Sequence, residues 1–476
     1  MKKQLFVLIA LVMVASMVLA ACGTNTPVAT VAPVPTQPNA ESVRWFVGLG
    51  TGTDPAQIKL EQAVVDDFNA SQSGIVLTLE VVPFDSAKDT LATQIAAGVG
   101  PDIIGPVGWA GSNAFGGQWA DISSYLGGFD TSIFNSALVN MYQTTEGQVG
   151  LPFAVYPSMM YYQPALFDAA GLAYPPSTYG TQYTLNGASV DWSWQTVGEV
   201  AKLLTVDVNG NNATSADFDK TQVVQYGYSP VWENHPNYYG AYWEGGSLVQ
   251  GSAGAYTAKV PDAWKAAWQW YYDGIWGAQP YIPTGAAAGS PDFGSGNTFS
   301  SGKIAMAVLP NWYLCCLTDF AKAGFTFQLG AMPSYNGAVH GRVDADTFRI
   351  WKGSTHIAAA VKVVEYLVTT GQQKLVVGTA DVPPAYGAVP SVTADQAPFL
   401  AAKAALYPFV TQDSWNIMMA GLSYPDVPSA EGWMPNYNEA WARVATFGDL
   451  MNNTAGLDLP TEIGKLETDL TAIFNK

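Results

Sequence analysis

Between residues 42 and 82 an apolar run, a glycine-rich turn, an amphipathic segment and a second apolar run follow one another. The first run, SVRWFVG (42–48), reads as a buried strand and the second, GIVLTLEVV (74–82), as another. Between them Leu60, Val64 and Phe68 recur at helical spacing, so 55–71 is expected to be a helix. Asp54 suits its N-cap, and Pro55 its first turn. Strand, helix, strand in this order gives two parallel strands joined by a right-handed crossover. The pattern then repeats: a helix over 86–97, capped by Ser86 and turning Leu91 and Ile95 inward, leads to a short strand, PDIIG (101–105). Such alternation predicts an α/β sheet with helices on its faces. Further helices are predicted over 194–205, 262–273, 357–369, 436–450 and 461–474.

A chain of 476 residues is too long for one simple core, so two lobes are expected. The formal charge of −18 argues against a nucleic-acid partner and against a basic membrane patch. Charged residues make up 12% and aromatic residues 13%, so ring packing has to replace ion pairs over much of the fold. The N-terminus has a different character. Lys2 and Lys3 precede an apolar run from Leu5 to Ala20 that is too short, with Ser16 inside it, to stay in a membrane. It ends in Leu19-Ala20-Ala21-Cys22-Gly23, which resembles the bacterial lipobox and implies lipidation at Cys22. Residues 22–41, with Pro27, Pro33, Pro35 and Pro38, read as a semi-rigid tether. Cys315 and Cys316 are neighbours, read as two buried thiols rather than a strained vicinal disulfide.

Tempting motifs fail on spacing. In GLGTG the third glycine of a dinucleotide fingerprint would fall at Thr53. In SSGKI (300–304), Ile304 stands where a phosphate loop needs a hydroxyl. VDVNGNNATSADFD (206–219) offers Asp207, Asn209 and Gly210 to a calcium loop, yet Thr205 and Ala216 occupy its first and twelfth positions. His235, His340 and His356 have no nucleophile or metal spacing around them. No cofactor is expected.

Several segments together resemble the family 1 extracellular solute-binding proteins, the group that includes maltose-binding protein. LATQIAAGVGPDII (91–104), FGGQWADISSYL (115–126), LPFAVYPSMMYYQPALFDAAGL (151–172), FSSGKIAMAVLPNW (299–312) and GWMPNYNEAW (432–441) keep the family's order. Gln163 and Pro164 depart from it, standing where the family has Asn and Lys. The resemblance implies a two-lobe periplasmic-binding-protein-like fold of type II. Each lobe would be a mixed α/β sheet flanked by helices, with hinge crossings between them. Lobe one is expected at 42–153 and 344–400, and lobe two at 156–340 and 402–476.

Sugars stack their C–H faces on aromatic rings and need directional partners for their hydroxyls. By the resemblance Trp312 falls at the family's stacking tryptophan, Trp109 and Asn113 at a loop with ligand contacts, and Tyr156 where the maltodextrin binder has an acid. From the residues themselves, Asp54 is a candidate acceptor, and Trp232, Tyr238, Trp243 and Glu244 are candidates in an aromatic-rich loop. Asp346, in the DADTFRI segment, and Trp433 and Tyr437, around the Met-Pro-Asn turn, complete the set. Trp264, Trp268 and Trp276 read as packing.

The expected function is therefore capture of a mono- or oligosaccharide by a monomeric, membrane-anchored lipoprotein that delivers it to the permease of an ABC importer. No catalytic residue is expected. The alternatives are a surface-anchored glycan hydrolase, for which no acid pair sits in a recognisable motif, or the same fold holding a glycerol phosphate, polyamine or peptide.

Overall fold

A computed structural model describes residues 40–476 except 51, 145, 379–383, 385, 427 and 428, and the side chains of Cys315 and Thr318. The apolar leader, Cys22 and most of the tether lie outside the described residues, as does any pairing of Cys315. Cys316 is partly buried against the larger core.

The opening pattern folds as its periodicity dictates. Strands β1 (Glu41–Val47) and β2 (Ile75–Val81) are parallel, in register from Glu41 opposite Ile75 to Val47 opposite Val81. The crossover is helix α1 (Pro55–Ser71), which buries Val64, Val65 and Phe68. Helix α2 (Phe84–Ala96) starts two residues before the predicted Ser86, after the extended Pro83. The Ser86 hydroxyl donates to the Pro83 carbonyl instead of leading the helix. Strand β3 (Ile103–Val107) runs parallel to β1 on its other edge. It begins later than PDIIG because Asp102 is used sideways, accepting from the Arg44 amide at 2.8 Å and the Ser354 hydroxyl at 2.5 Å.

The long strand β4 (Pro152–Tyr162), buried along its whole length, belongs to two sheets at once. Three more strands, β5 (Val223–Tyr228), β6 (Ile304–Pro310) and β7 (Gln328–Gly330), precede β8 (Val343–Ile350) and β9 (Val389–Pro390). The first half of β4 pairs antiparallel with β8, from Pro157 opposite Val343 to Ala154 opposite Asp346, and with β9. Its second half pairs with β6, from Ser158 opposite Pro310 to Tyr162 opposite Met306, and with β7. Strand β8 also pairs with β3, which joins the N-terminal unit to the first sheet.

Two large cores result. One gathers Trp45, Phe68, Ile103, Phe153, Phe348 and Val363; the other gathers Tyr161, Trp194, Trp268, Leu309, Trp415 and Phe447. Core membership switches between Tyr156 and Met159, between Met332 and Phe348, and between Ala388 and Val389. Phe399 already packs in the second core, ahead of the position expected from the sequence. Trp264 and Trp268 are buried on helix α6 (Asp262–Trp276), after α3 (Trp109–Asn113), α4 (Trp194–Leu204) and α5 (Pro236–Trp243). Their indole N–H groups donate to the carbonyls of Glu244 and Pro236, so the ring nitrogens are paired inside the core. Among the described residues no helix is long and apolar enough to cross a membrane.

Candidate functional site

The site begins with the period of two in Val343-Asp344-Ala345-Asp346. Alternate residues of a strand share a face, so Asp344 and Asp346 project together. Their partner strand places Tyr156 opposite Asp344, and the Tyr156 hydroxyl reaches diagonally to donate to Asp346 Oδ2 at 3.2 Å. The parallel strands β1 and β3 end at the same place and contribute Leu49, Gly108 and Gly111, the position where open α/β sheets hold ligands. A Cβ on Gly108 would stand 3.2 Å from Asp346 Oδ1, so glycine lets the backbone pass beside the carboxylate. Trp312, just beyond β6, and Glu431 close the other side. Together these groups border an open cavity of about 260 Å³.

Beneath the cavity lies Arg342, buried at the switch from one sheet to the other. Its guanidinium donates to Glu233, to Asp344 at 2.6 Å and to Glu431 at 2.7 Å. It also lies 3.8 Å from the centre of the Tyr238 ring. Tyr238 and Tyr242 donate to Glu431 and Glu233, both at 2.9 Å. Glu431 bridges the two sides as well: its other oxygen accepts from the Ala110 amide at 3.1 Å, and its carbonyl accepts from Asn113 at 2.7 Å. Burial pushes Asp344 well above the usual carboxylate range despite Arg342, and pushes Asp346 up to about 7 despite the Tyr156 hydroxyl. Asp426, which accepts from the Ala430 and Val343 amides, is likewise raised by burial to about 7.

A parallel-stranded unit, a second sheet sharing one strand with it, and a carboxylate-lined cavity between them describe a two-lobe binder. A family model, "Bacterial extracellular solute-binding protein", matches residues 53–374. The chain belongs to this family. The fold agrees with solved structures at low sequence identity. UspC of M. tuberculosis superposes with a TM-score of 0.67 at 19% identity, covering 91% of this chain and 100% of that one. An ABC substrate-binding protein of Listeria monocytogenes, solved with cycloalternan, gives 0.63 at 18% identity, covering 91% and 98%. The cyclic alpha-maltosyl-1,6-maltose binding protein of Arthrobacter globiformis gives 0.62 at 16% identity, covering 92% and 99%. A putative binding protein of Brucella abortus (strain 2308) is 30% identical over 122 residues, 24% of this chain and 28% of the relative's length. The match therefore spans less than a third of the curated relative.

This solute-binding protein brings together three of the residues singled out in its sequence: Trp312, Tyr156 and Asp346 all line the cavity. Trp232, 44% exposed, stacks on Trp312 with ring centres 6.0 Å apart and planes 17° apart. Asn113, Trp433 and Tyr437 border a neighbouring groove of about 400 Å³. Trp433 is exposed there, whereas Tyr437 is buried and stacks on Trp441.

The other residues singled out in the sequence lie outside the lining of this cavity. Trp109 stacks on Tyr142 with centres 5.8 Å apart and lies 4.8 Å from the Arg349 guanidinium, so it packs against the first lobe rather than lining the cavity. Trp243 is core: the expected loop is helix α5, whose last residue stacks on Trp194 and meets Tyr335 at 4.5 Å. Glu244 follows as an exposed helix end, its carbonyl engaged by Trp264. Asp54 is exposed at the start of α1, and Gln57 returns its side chain to the Asp54 and Gly52 amides at 3.2 and 2.9 Å. His235 is buried flat against Trp441 at 3.8 Å, and burial lowers its pKa to about 3. Asp207 accepts from the amides of Asn209, Asn211 and Asp219, each at 2.9 Å, as a turn carboxylate does.

One buried acid lies under the first turn. Glu61 accepts from the Tyr386 hydroxyl, its other oxygen has no hydrogen-bond partner among the described residues, and burial raises its pKa to about 8. A raised carboxyl keeps its proton in the folded chain after the unfolded chain has released it. The stability it contributes is complete below about pH 4.5 and is lost as pH rises towards 8. Asp346 and Asp426 act in the same direction between about 4 and 7. Asp121 and Asp207, lowered by hydrogen bonds from Ser123 and Asp219, act only below about 3.8. The free protein is therefore expected to melt at a lower temperature at pH 8 than at pH 5. Glu61→Gln, neutral at both, is expected to narrow that gap by about 3 kcal/mol. Urea titrations at the two pH values check it, and an unchanged gap would remove Glu61 from the account.

Proposed function

We propose that this protein captures a carbohydrate in the cleft between its lobes and presents it to the permease of an ABC importer. The observation that carries the reading is the cavity between Trp312 and Tyr156, whose walls hold carboxylate acceptors beside flat aromatic faces. That pairing suits a pyranose, with C–H faces on the rings and hydroxyls on the acids. Solved structures of similar fold were obtained with cycloalternan and with alpha-D-tagatose, which supports a sugar. The first lobe would comprise 42–153 and 344–400 and the second 156–340 and 402–476, with the third crossing moved toward 389 by the packing of Val389 and Phe399. The protein works as a monomer, held to the membrane by a lipid on Cys22 and spaced from it by the proline-rich tether.

Closure is the natural consequence of two cores linked at three crossings. A thermal-shift screen against mono- and oligosaccharides is expected to raise the melting temperature for at least one, since a ligand stabilises by RT ln(1 + [L]/Kd). Small-angle scattering with that sugar is then expected to show a smaller radius of gyration. An unchanged profile at saturation would count against capture by closure, and release of shorter sugars would point to hydrolysis instead.

A further inference from the structure

The cavity has an unbalanced charge. Glu233, Asp344, Asp426 and Glu431 surround Arg342, and Asp346 stands beside them. Arg342 is spent on three of these acids, and no lysine or arginine lines the cavity among the described residues. Asp346 is nine-tenths buried and uses one oxygen, accepting from Tyr156; its Oδ1 borders the cavity beside Gly108 with no hydrogen-bond partner among the described residues. A built acceptor is thus left open within the binding space.

We infer that the solute is a sugar bearing a protonated amine, whose ammonium group donates to Asp346 while its ring lies against Trp312. This rests on the capture reading above and narrows it to a class of ligand. A neutral hydroxyl would satisfy the geometry of Asp346 but leave the surplus negative charge in a partly dehydrated site. An ammonium satisfies both, and its charge-assisted bond is roughly twice as strong as a neutral one. Burial raises the proton affinity of Asp346, and an ammonium placed beside it would offset that cost and hold the carboxylate ionised. A linear polyamine would answer the charge but present no face to Trp312 and Tyr156. The overall charge of −18 would also draw a cationic solute toward the protein.

The test is calorimetric titration of the full chain with matched sugars: glucosamine and glucose, galactosamine and galactose, and the β-1,4 oligomers of glucosamine, glucose and N-acetylglucosamine. Spermidine is the control. At least one amine sugar is expected to bind about tenfold tighter than its neutral and N-acetylated counterparts, with the advantage shrinking as salt is added. Asp346→Asn is expected to weaken the amine sugar about tenfold more than its neutral counterpart, and an unchanged circular-dichroism spectrum shows that the variant is folded. Neutral sugars binding as tightly as the amines would overturn this inference and leave carbohydrate capture standing. Binding of spermidine alone, or no binding across the panel, would overturn both.

Discussion

Replacing Arg342 by methionine is expected to destabilise the folded chain by about 3–5 kcal/mol at pH 8. The side chain is similar in length, so the loss comes from charge rather than from an empty space. Glu233, Asp344 and Glu431 would remain buried side by side without the guanidinium that each now accepts from. Protonation offers them relief, so the loss is expected to shrink at pH 5. Urea unfolding at both pH values measures it. A loss below about 1 kcal/mol at pH 8 would mean that water, not Arg342, balances the cluster.

Trp312→Ala is expected to weaken binding of the tightest sugar in the screen by about 2–4 kcal/mol, which is roughly thirtyfold to a thousandfold. The ring lines the cavity and packs against both cores, so it is well placed to register closure. Trp312→Phe keeps a stacking face and should recover part of the affinity. Trp232→Ala should cost less, because that ring is 44% exposed and backs Trp312 rather than bordering the cavity. Melting temperatures of the free variants separate lost packing from lost contact. Equal affinities for Trp312→Ala and the parent chain would move the site elsewhere.

The elements that were legible in the sequence are those that a local period specifies. The helix over 55–71 matches α1 end to end, because Asp54-Pro55 starts it and the Leu60, Val64, Phe68 spacing sustains it. The helix predicted over 262–273 continues to Trp276, since Gly274 packs against Ile282 and Tyr281 instead of ending it. Beyond α7 (Ile357–Tyr366) the chain widens into π-helical turns as far as Val377, which no period of 3.6 announces. At the site, Trp312, Tyr156 and Asp346 came from the resemblance and from residue chemistry. Arg342, Asp344 and Glu431 did not, because Arg342 meets Glu431 across 89 positions and Glu233 across 109. The available signal was the Asp-Ala-Asp alternation, which sets two acids on one strand face. Trp243 misled for the opposite reason: a run of aromatics looks the same whether it faces a ligand or a core.

The placement of β8 also bears on how the chain assembles. The strands of the second sheet all lie between residues 158 and 330. The first sheet must wait for 343–350, which inserts between β3 and β4 as its central strand. Until then β3 keeps an open edge, and the two ends of the sheet belong to separate pieces. Loop closure over more than two hundred residues is slow. The second sheet can therefore form early, whereas the wall carrying Asp344 and Asp346 arrives only with β8, and β9 follows it. A chain cut before residue 343 would lose the binding wall and the strand that unites the first lobe in the same stroke.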